Sequence, residues 1–342
     1  MTVSGAGPAP VVRAPAGAVR GTREGDLSVF RGIPFAKAPE GELRFRSPQP
    51  MEPWSGELPA ATFGAACAQL VLPSGGVFPD TIGPMDRLED CLTLNIWSPD
   101  LGAAGLPTMV WLHGGAFTSG SAAAPMYDGA ALALEGVVVV TVNYRLHALG
   151  WMYVEEPAAG TSNAGLLDQV AALEWVRDNI AAFGGDPDNV TVFGESAGAM
   201  STATLLATPA ARGLFRRAIC QSGAGAHSIP AEAARRGADR LCELLELPVG
   251  DIDGLRRVPV DALVAAAFRI AYVEAGDLLA DLDPWRKMIW APVIDGVVLP
   301  DDVESAVARG SARDVDLLVG VNADEYNLFV WGVAEHLRPT RL

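Results

Sequence analysis

The chain has 342 residues, 50% hydrophobic and 19% charged, with 37 Gly and 25 Pro spread along it. That length admits about two domains or one large α/β domain, and the composition excludes disorder and collagen-like repeats. With 25 basic against 41 acidic residues the formal charge is −16, which repels phosphate backbones and anionic lipid, so neither nucleic acid nor a membrane is expected as a partner.

Residues 1–16, rich in Ala, Pro and Gly, read as a mobile N-terminal arm, and residues 17–342 as one domain. The arm has no basic residue before Arg13 and no leucine-rich stretch, unlike a secretory signal, so a cytoplasmic location is expected. No apolar run approaches the roughly 18 residues of a membrane span. Short alternating segments around Val19 and from Leu27 to Phe30 predict a small β-meander. Strand-like runs follow at Leu92–Trp97, Met109–Leu112, Val137–Asn143, Val190–Phe193, Ala218–Gln221 and Val315–Val321, several apolar on both faces, as in a sheet covered on both sides. Between two of them Leu166, Val170, Leu173, Val176, Ile180 and Phe183 recur at helical spacing, and Gly184 and Gly185 stop that helix. Alternating β and α with long crossovers predicts an α/β fold, a mostly parallel sheet flanked by helices. Residues 230–290 read as a helical excursion over the C-terminal edge of the sheet, where α/β ligand sites lie.

The four cysteines, Cys67, Cys91, Cys220 and Cys242, form no CxxC pair and no zinc-ligand spacing with the four histidines, so no metal and no other cofactor is expected. They read either as small buried hydrophobes or as including one loop-closing disulfide.

The segment Asn189–Ala199, NVTVFGESAGA, sets Gly194-Glu195-Ser196-Ala197-Gly198 between a β-branched strand and a helix-forming stretch. This is G-x-S-x-G in the setting it needs: a direct strand-to-helix turn leaves no room for a Cβ on either side of the serine, so Ser196 stands out at the sheet edge. The amide of Ala197 then faces the same point from the N-terminus of the helix. The strand Met109–Leu112 runs into His113, Gly114, Gly115, Ala116 and Phe117, whose glycines let successive amides converge near the serine. His113 reads as a packing residue of that loop.

Several long stretches occur in one order: FRGIPFAKAPEGELRFRSP, LEDCLTLNIWSP, VWLHGGAFTSG, VVVVTVNYRLHALG, NAGLLDQVAALEWVRDNIAAFGGDPDNVTVFGESAGA, APVIDG and LLVGVNADE. On these the chain, from about Val11 to its end, resembles the type B carboxylesterases, the α/β-hydrolase family that includes the cholinesterases. The resemblance implies Ser196 as acyl nucleophile, Gly115, Ala116 and Ala197 as oxyanion-hole amides and Glu325 as triad acid. It also implies ion pairs Arg145–Asp168 and Arg44–Glu89, and places Cys67 and Cys91 where members often close a disulfide loop. A carboxylate at the C-terminal end of a buried strand, following the serine in sequence, suits an acid that orients a histidine.

In the family the catalytic histidine follows the acid by several dozen residues, whereas 17 residues follow Glu325 here. The resemblance therefore implies a C-terminally truncated esterase. His336 is a candidate substitute base, and His147 and His227 read as structural. Sheet strands would be missing beyond Val321, leaving an open edge through which non-specific oligomers are expected. Between Ala68 and Asp90 the only aromatic is Phe78, so a cation–π site for a choline ester is not expected. The expected activity is serine carboxylic-ester hydrolysis through an acyl-enzyme, on uncharged short-chain or aryl small-molecule esters. The alternative is a truncated pseudoenzyme or a non-catalytic binding module on the same fold.

Overall fold

The computed structural model describes residues 8–70, 86–103, 105–158, 160–325 and 327. Eight strands form the main sheet: β1 (Thr22–Glu24), β2 (Leu27–Pro34), β3 (Thr93–Ser98), β4 (Leu106–Leu112), β5 (Val138–Val142), β6 (Gly185–Glu195), β7 (Arg217–Gln221) and β8 (Asp316–Gly320). Their order is β8-β7-β6-β4-β5-β3-β2-β1. The first five in that order run parallel, and β3, β2 and β1 continue the sheet antiparallel. All five residues of β5 are buried, as a strand with no polar alternation requires.

The helices named here are α1 (Ala164–Asn179), α2 (Ala197–Ala207), α3 (Ala231–Leu244), α4 (Ile252–Arg257), α5 (Val260–Arg269) and α6 (Val303–Ala308). In α1 and the tighter turn Ile180–Phe183 that extends it, the six residues of the predicted stripe are all buried in the main core. Gly184 ends this helix at φ 87°, a left-handed cap that glycine adopts without Cβ strain. The excursion carries α3, α4 and α5, and its two ends meet where Ile229–Pro230 pairs in parallel with Val293–Ile294.

One expectation is corrected. Residues 11–14 are not part of a loose arm: Val11–Ala14 pairs antiparallel with Gly17–Arg20, which in turn pairs with Glu57–Pro59. Val12 and Val19 face each other in the core, and the Ala16 amide donates to Asn179 Oδ1 at 2.9 Å. The Ala, Pro and Gly content masked a two-valine alternation around a tight turn. At the other end of the sheet, where an open edge is expected beyond Val321, β8 is the outermost strand among the described residues, and all five of its residues are exposed.

Candidate active site

Strand β6 turns into helix α2 at Ser196, which holds φ 53° and ψ −122°, a conformation costly for a residue with a side chain. Packing around the turn holds it there. A Cβ on Gly194 would lie 2.5 Å from the Gly198 carbonyl oxygen and 2.7 Å from that of Leu112, and one on Gly198 would run into the Leu112 carbonyl itself. The Ser196 amide donates to the Gln221 carbonyl at the end of β7 (2.9 Å), and the Met200 amide donates to the Ser196 carbonyl (2.9 Å). The serine is thereby fixed at the C-terminal edge of the sheet, half-buried, with Ala197 opening α2.

The loop after β4 lies against it: a Cβ on Gly114 would be 3.2 Å from the Cβ of Ser196 and 2.9 Å from Glu195 Oε2. Gly115, Ala116 and Phe117 hold φ of 113°, 53° and 59°, three successive positive values that fold the backbone back on itself. The Gly115 carbonyl accepts from the amides of Thr118 and Ser119, both at 3.0 Å. His113 is buried, stacked on Tyr144 with ring centroids 4.4 Å apart, and its Nδ1 donates to the Gly114 carbonyl at 2.8 Å. Burial lowers its pKa to about 4, so the ring is neutral at physiological pH. This is the packing role the sequence suggested.

Glu325 does not end a buried strand as expected. Strand β8 stops at Gly320, and Glu325 lies in the turn beyond it, where Oε2 accepts from the Asn322 amide at 2.7 Å. Hydrogen bonds from the Ser222 side chain and Asn322 lower its pKa, so it is ionised. Ser222 immediately follows β7, and its amide donates to the Gly320 carbonyl at 2.8 Å. The end of β7 therefore ties the two residues together: Gln221 holds Ser196, and Ser222 holds Glu325.

Sequence reasoning passed over Ser222 and Glu195. Desolvation first, then the charge of Glu325, raises the Glu195 pKa, and Tyr127, pushed up to about 12 mainly by burial, also feels the Glu195 charge. The Q-S-G after a predicted strand and the acid beside the serine were the available signals. His147 is buried with Nε2 2.6 Å from the Ala68 carbonyl and its pKa lowered to about 4 by burial. His227 lies partly buried in the turn Gly225–His227. His336 and Phe78 fall outside the described residues.

Around the site Arg145 pairs with buried Asp168 at 2.7 Å, and Arg44 Nε donates to Glu89 at 2.6 Å. Cys67 and Cys91 form a disulfide with Cα atoms 5.0 Å apart, while Cys220 and Cys242 are buried free thiols. No group of His, Cys, Asp or Glu among the described residues could hold a metal ion.

The carboxylesterase family model matches residues 8–339. The chain is 44% identical over 315 residues to a para-nitrobenzyl esterase of Bacillus subtilis (strain 168), covering 92% of this chain and 62% of that protein. It is 41% identical over 322 residues to a fumonisin B1 esterase of Sphingopyxis macrogoltabida, covering 92% of this chain and 56% of the relative. It is 40% identical over 331 residues to an acetylcholinesterase of Electrophorus electricus, covering 92% and 51%. The chain thus spans about half to three fifths of the length of these relatives. Among solved structures, a PNB esterase superposes with a TM-score of 0.86 at 40% identity, over 96% of this chain and 66% of that one. A carboxylesterase of Geobacillus stearothermophilus gives 0.81 at 41% identity, over 94% and 63%. With the strand-to-helix turn at Ser196, the glycine loop against it and the mixed sheet that carries both, the chain belongs to the carboxylesterase family and has its α/β-hydrolase fold.

Proposed function

We propose that the chain carries the nucleophile, oxyanion hole and acid of a serine carboxylic-ester hydrolase. The observation that carries this reading is Ser196 held at positive φ between β6 and α2 with the Gly114–Phe117 loop packed against it. Ser196 Oγ attacks the ester carbonyl, and the amides of Gly115, Ala116 and Ala197 receive the developing oxyanion, each such donor supplying about 3 to 4 kcal/mol. The alkoxide leaves with a proton, and water then hydrolyses the acyl-enzyme to the acid and free Ser196. Glu325, ionised and fixed by Asn322, serves as the carboxylate that orients the base. The chemistry uses no cofactor.

The substrates are small uncharged esters, short-chain or aryl. The relatives include a para-nitrobenzyl esterase and a fumonisin B1 esterase, and the segment 68–90 holds no tryptophan to stack on a quaternary ammonium. A net charge of −16 disfavours nucleic acid, and no helix among the described residues is long and apolar enough to cross a membrane.

A second reading, a binding module that retains the elbow, is favoured by one observation. His113 and His147 are both buried, each with a ring nitrogen directed at a backbone carbonyl, which holds them as packing residues of the core. Hydrolysis of an activated aryl ester by the wild-type chain, Ser196→Ala and single Ala variants of His147, His227 and His336 separates the two. Loss of the base from a serine triad lowers kcat by roughly 10⁶, about 8 kcal/mol. The hydrolase reading expects a rate abolished by Ser196→Ala, with a fluorophosphonate adduct mapped to Ser196. A rate indifferent to Ser196, with no adduct there, leaves the binding module.

A further inference from the structure

We infer that Tyr272, in the helical excursion, is a positioning residue for the oxyanion loop; its bearing on catalysis rests on the serine-hydrolase reading above. Thr118 Oγ1 lies 3.2 Å from the Gly115 carbonyl and 2.8 Å from the Tyr272 hydroxyl. A carbonyl only accepts, so the single proton of Thr118 goes to Gly115, and Tyr272 must donate to Thr118. The result is a directed relay, Tyr272 O–H to Thr118 O–H to the Gly115 carbonyl. The same carbonyl receives the amides of Thr118 and Ser119 and, at 3.3 Å, the Ser119 hydroxyl.

A trans peptide is planar, with its carbonyl and the following N–H pointing opposite ways. Donors gathered on the Gly115 carbonyl therefore aim the Ala116 amide away from the loop's own turn. Ala116 and Phe117 hold φ of 53° and 59°, conformations that L-residues leave when the surrounding contacts weaken. A buried Thr118 transmits the constraint, and Tyr272 is its last donor.

The excursion is built to present that hydroxyl. Residues Ile270–Glu274 form a π turn directly after α5. The fully buried indole of Trp290 donates to the Ala267 carbonyl at 2.8 Å, a side chain entering the helical ladder where the turn widens. Glu274 closes the turn, gripped by Arg240 at 2.6 Å and Arg269 at 2.8 Å. The Tyr272 ring stacks on Phe268 with centroids 4.5 Å apart and is 49% exposed. Its packing is thus separable from its hydroxyl.

Tyr272→Phe keeps the ring and removes only the donor. Native-state amide exchange is read over residues 113–119 in wild type, Tyr272→Phe, Thr118→Ala, Thr118→Ser and the Tyr272→Phe/Thr118→Ala double variant, together with Tm. The expected result is exchange about tenfold faster in that segment alone for Tyr272→Phe and Thr118→Ala, an unchanged Tm, and no further gain in the double variant. Thr118→Ser, which keeps the hydroxyl, behaves as wild type. Fluorophosphonate labelling of Ser196 should show a several-fold slower bond-forming step at unchanged reversible affinity. Unchanged exchange in 113–119, or exchange raised equally across the chain with a lower Tm, overturns the inference. If wild-type Ser196 takes no label, the hydrolase reading fails, and the exchange arm still decides whether Tyr272 holds the loop.

Discussion

His113 and His147 lie within the same buried shell as the Gly114–Phe117 loop, and their chemistry sets an acid limit on the fold. Each has its pKa lowered from 6.5 to about 4, chiefly by burial, against a smaller opposing effect of its hydrogen bond to Gly114 or Ala68. The unfolded chain binds a proton at each below pH 6.5, and the folded chain does not until near pH 4. The associated stability is complete above pH 6.5 and is lost as pH falls, by up to about 3 kcal/mol for each ring at pH 4. Urea unfolding stability between pH 6.5 and 5 should fall by roughly 2 kcal/mol per pH unit for the two together. In His147→Gln, whose amide can still donate to Ala68, the slope should be about half; an unaltered slope removes His147 from this account.

Among the elements, the turn at Ser196 and the helix α1 before it were legible because their signals are local. Gly194 and Gly198 flank the serine within one turn, and the stripe from Leu166 to Phe183 repeats over a single helix. The strand Val11–Ala14 was hidden because two valines carry its alternation within Ala, Pro and Gly. Thr118 and Tyr272 gave no signal at all, because their hydrogen bond joins residues 154 apart in sequence. The open edge at β8 was legible in the sequence, and there Leu317, Leu318 and Val319 are 47%, 62% and 51% exposed. An outer strand with apolar residues on both faces is a template for pairing with another chain. Concentration-dependent self-association by sedimentation is the expected behaviour, and Leu318→Lys should suppress it without loss of secondary structure. A variant that associates as strongly as wild type excludes β8 as the contact.

Across the whole molecule, two buried ion pairs join parts of the chain that no strand connects. Arg145 and Asp168 have side chains 3% and 0% exposed, and the Arg145 amide and Nε also donate to that carboxylate, at 3.0 and 2.8 Å. This pair fixes the segment after β5 to α1, beneath the site. Arg44 does something different. Beyond Glu89, its Nη1 donates to the carbonyls of Leu255, Arg256 and Val258, at 3.1, 3.0 and 2.6 Å. These carbonyls lie at the C-terminal end of α4, where the helix dipole favours a cation. Arg44 therefore anchors the base of the excursion that presents Tyr272, more than 200 residues away in sequence.

Removing one partner of a buried pair leaves an uncompensated charge, at a cost of about 3 to 5 kcal/mol. Asp168→Ala and Glu89→Ala should both lower global stability by that amount in chemical denaturation. Arg44→Met should do more locally: it strips the last carbonyls of α4 of their donor, so amide exchange should rise across residues 252–258. The relay through Tyr272 then predicts a smaller rise at 113–119. Asp168→Ala, at equal global cost, has no such route and should leave the ratio of exchange in 252–258 to the global rate unchanged. If the two variants loosen α4 alike, Arg44 is an ordinary buried partner and the coupling from Arg44 to the excursion is absent.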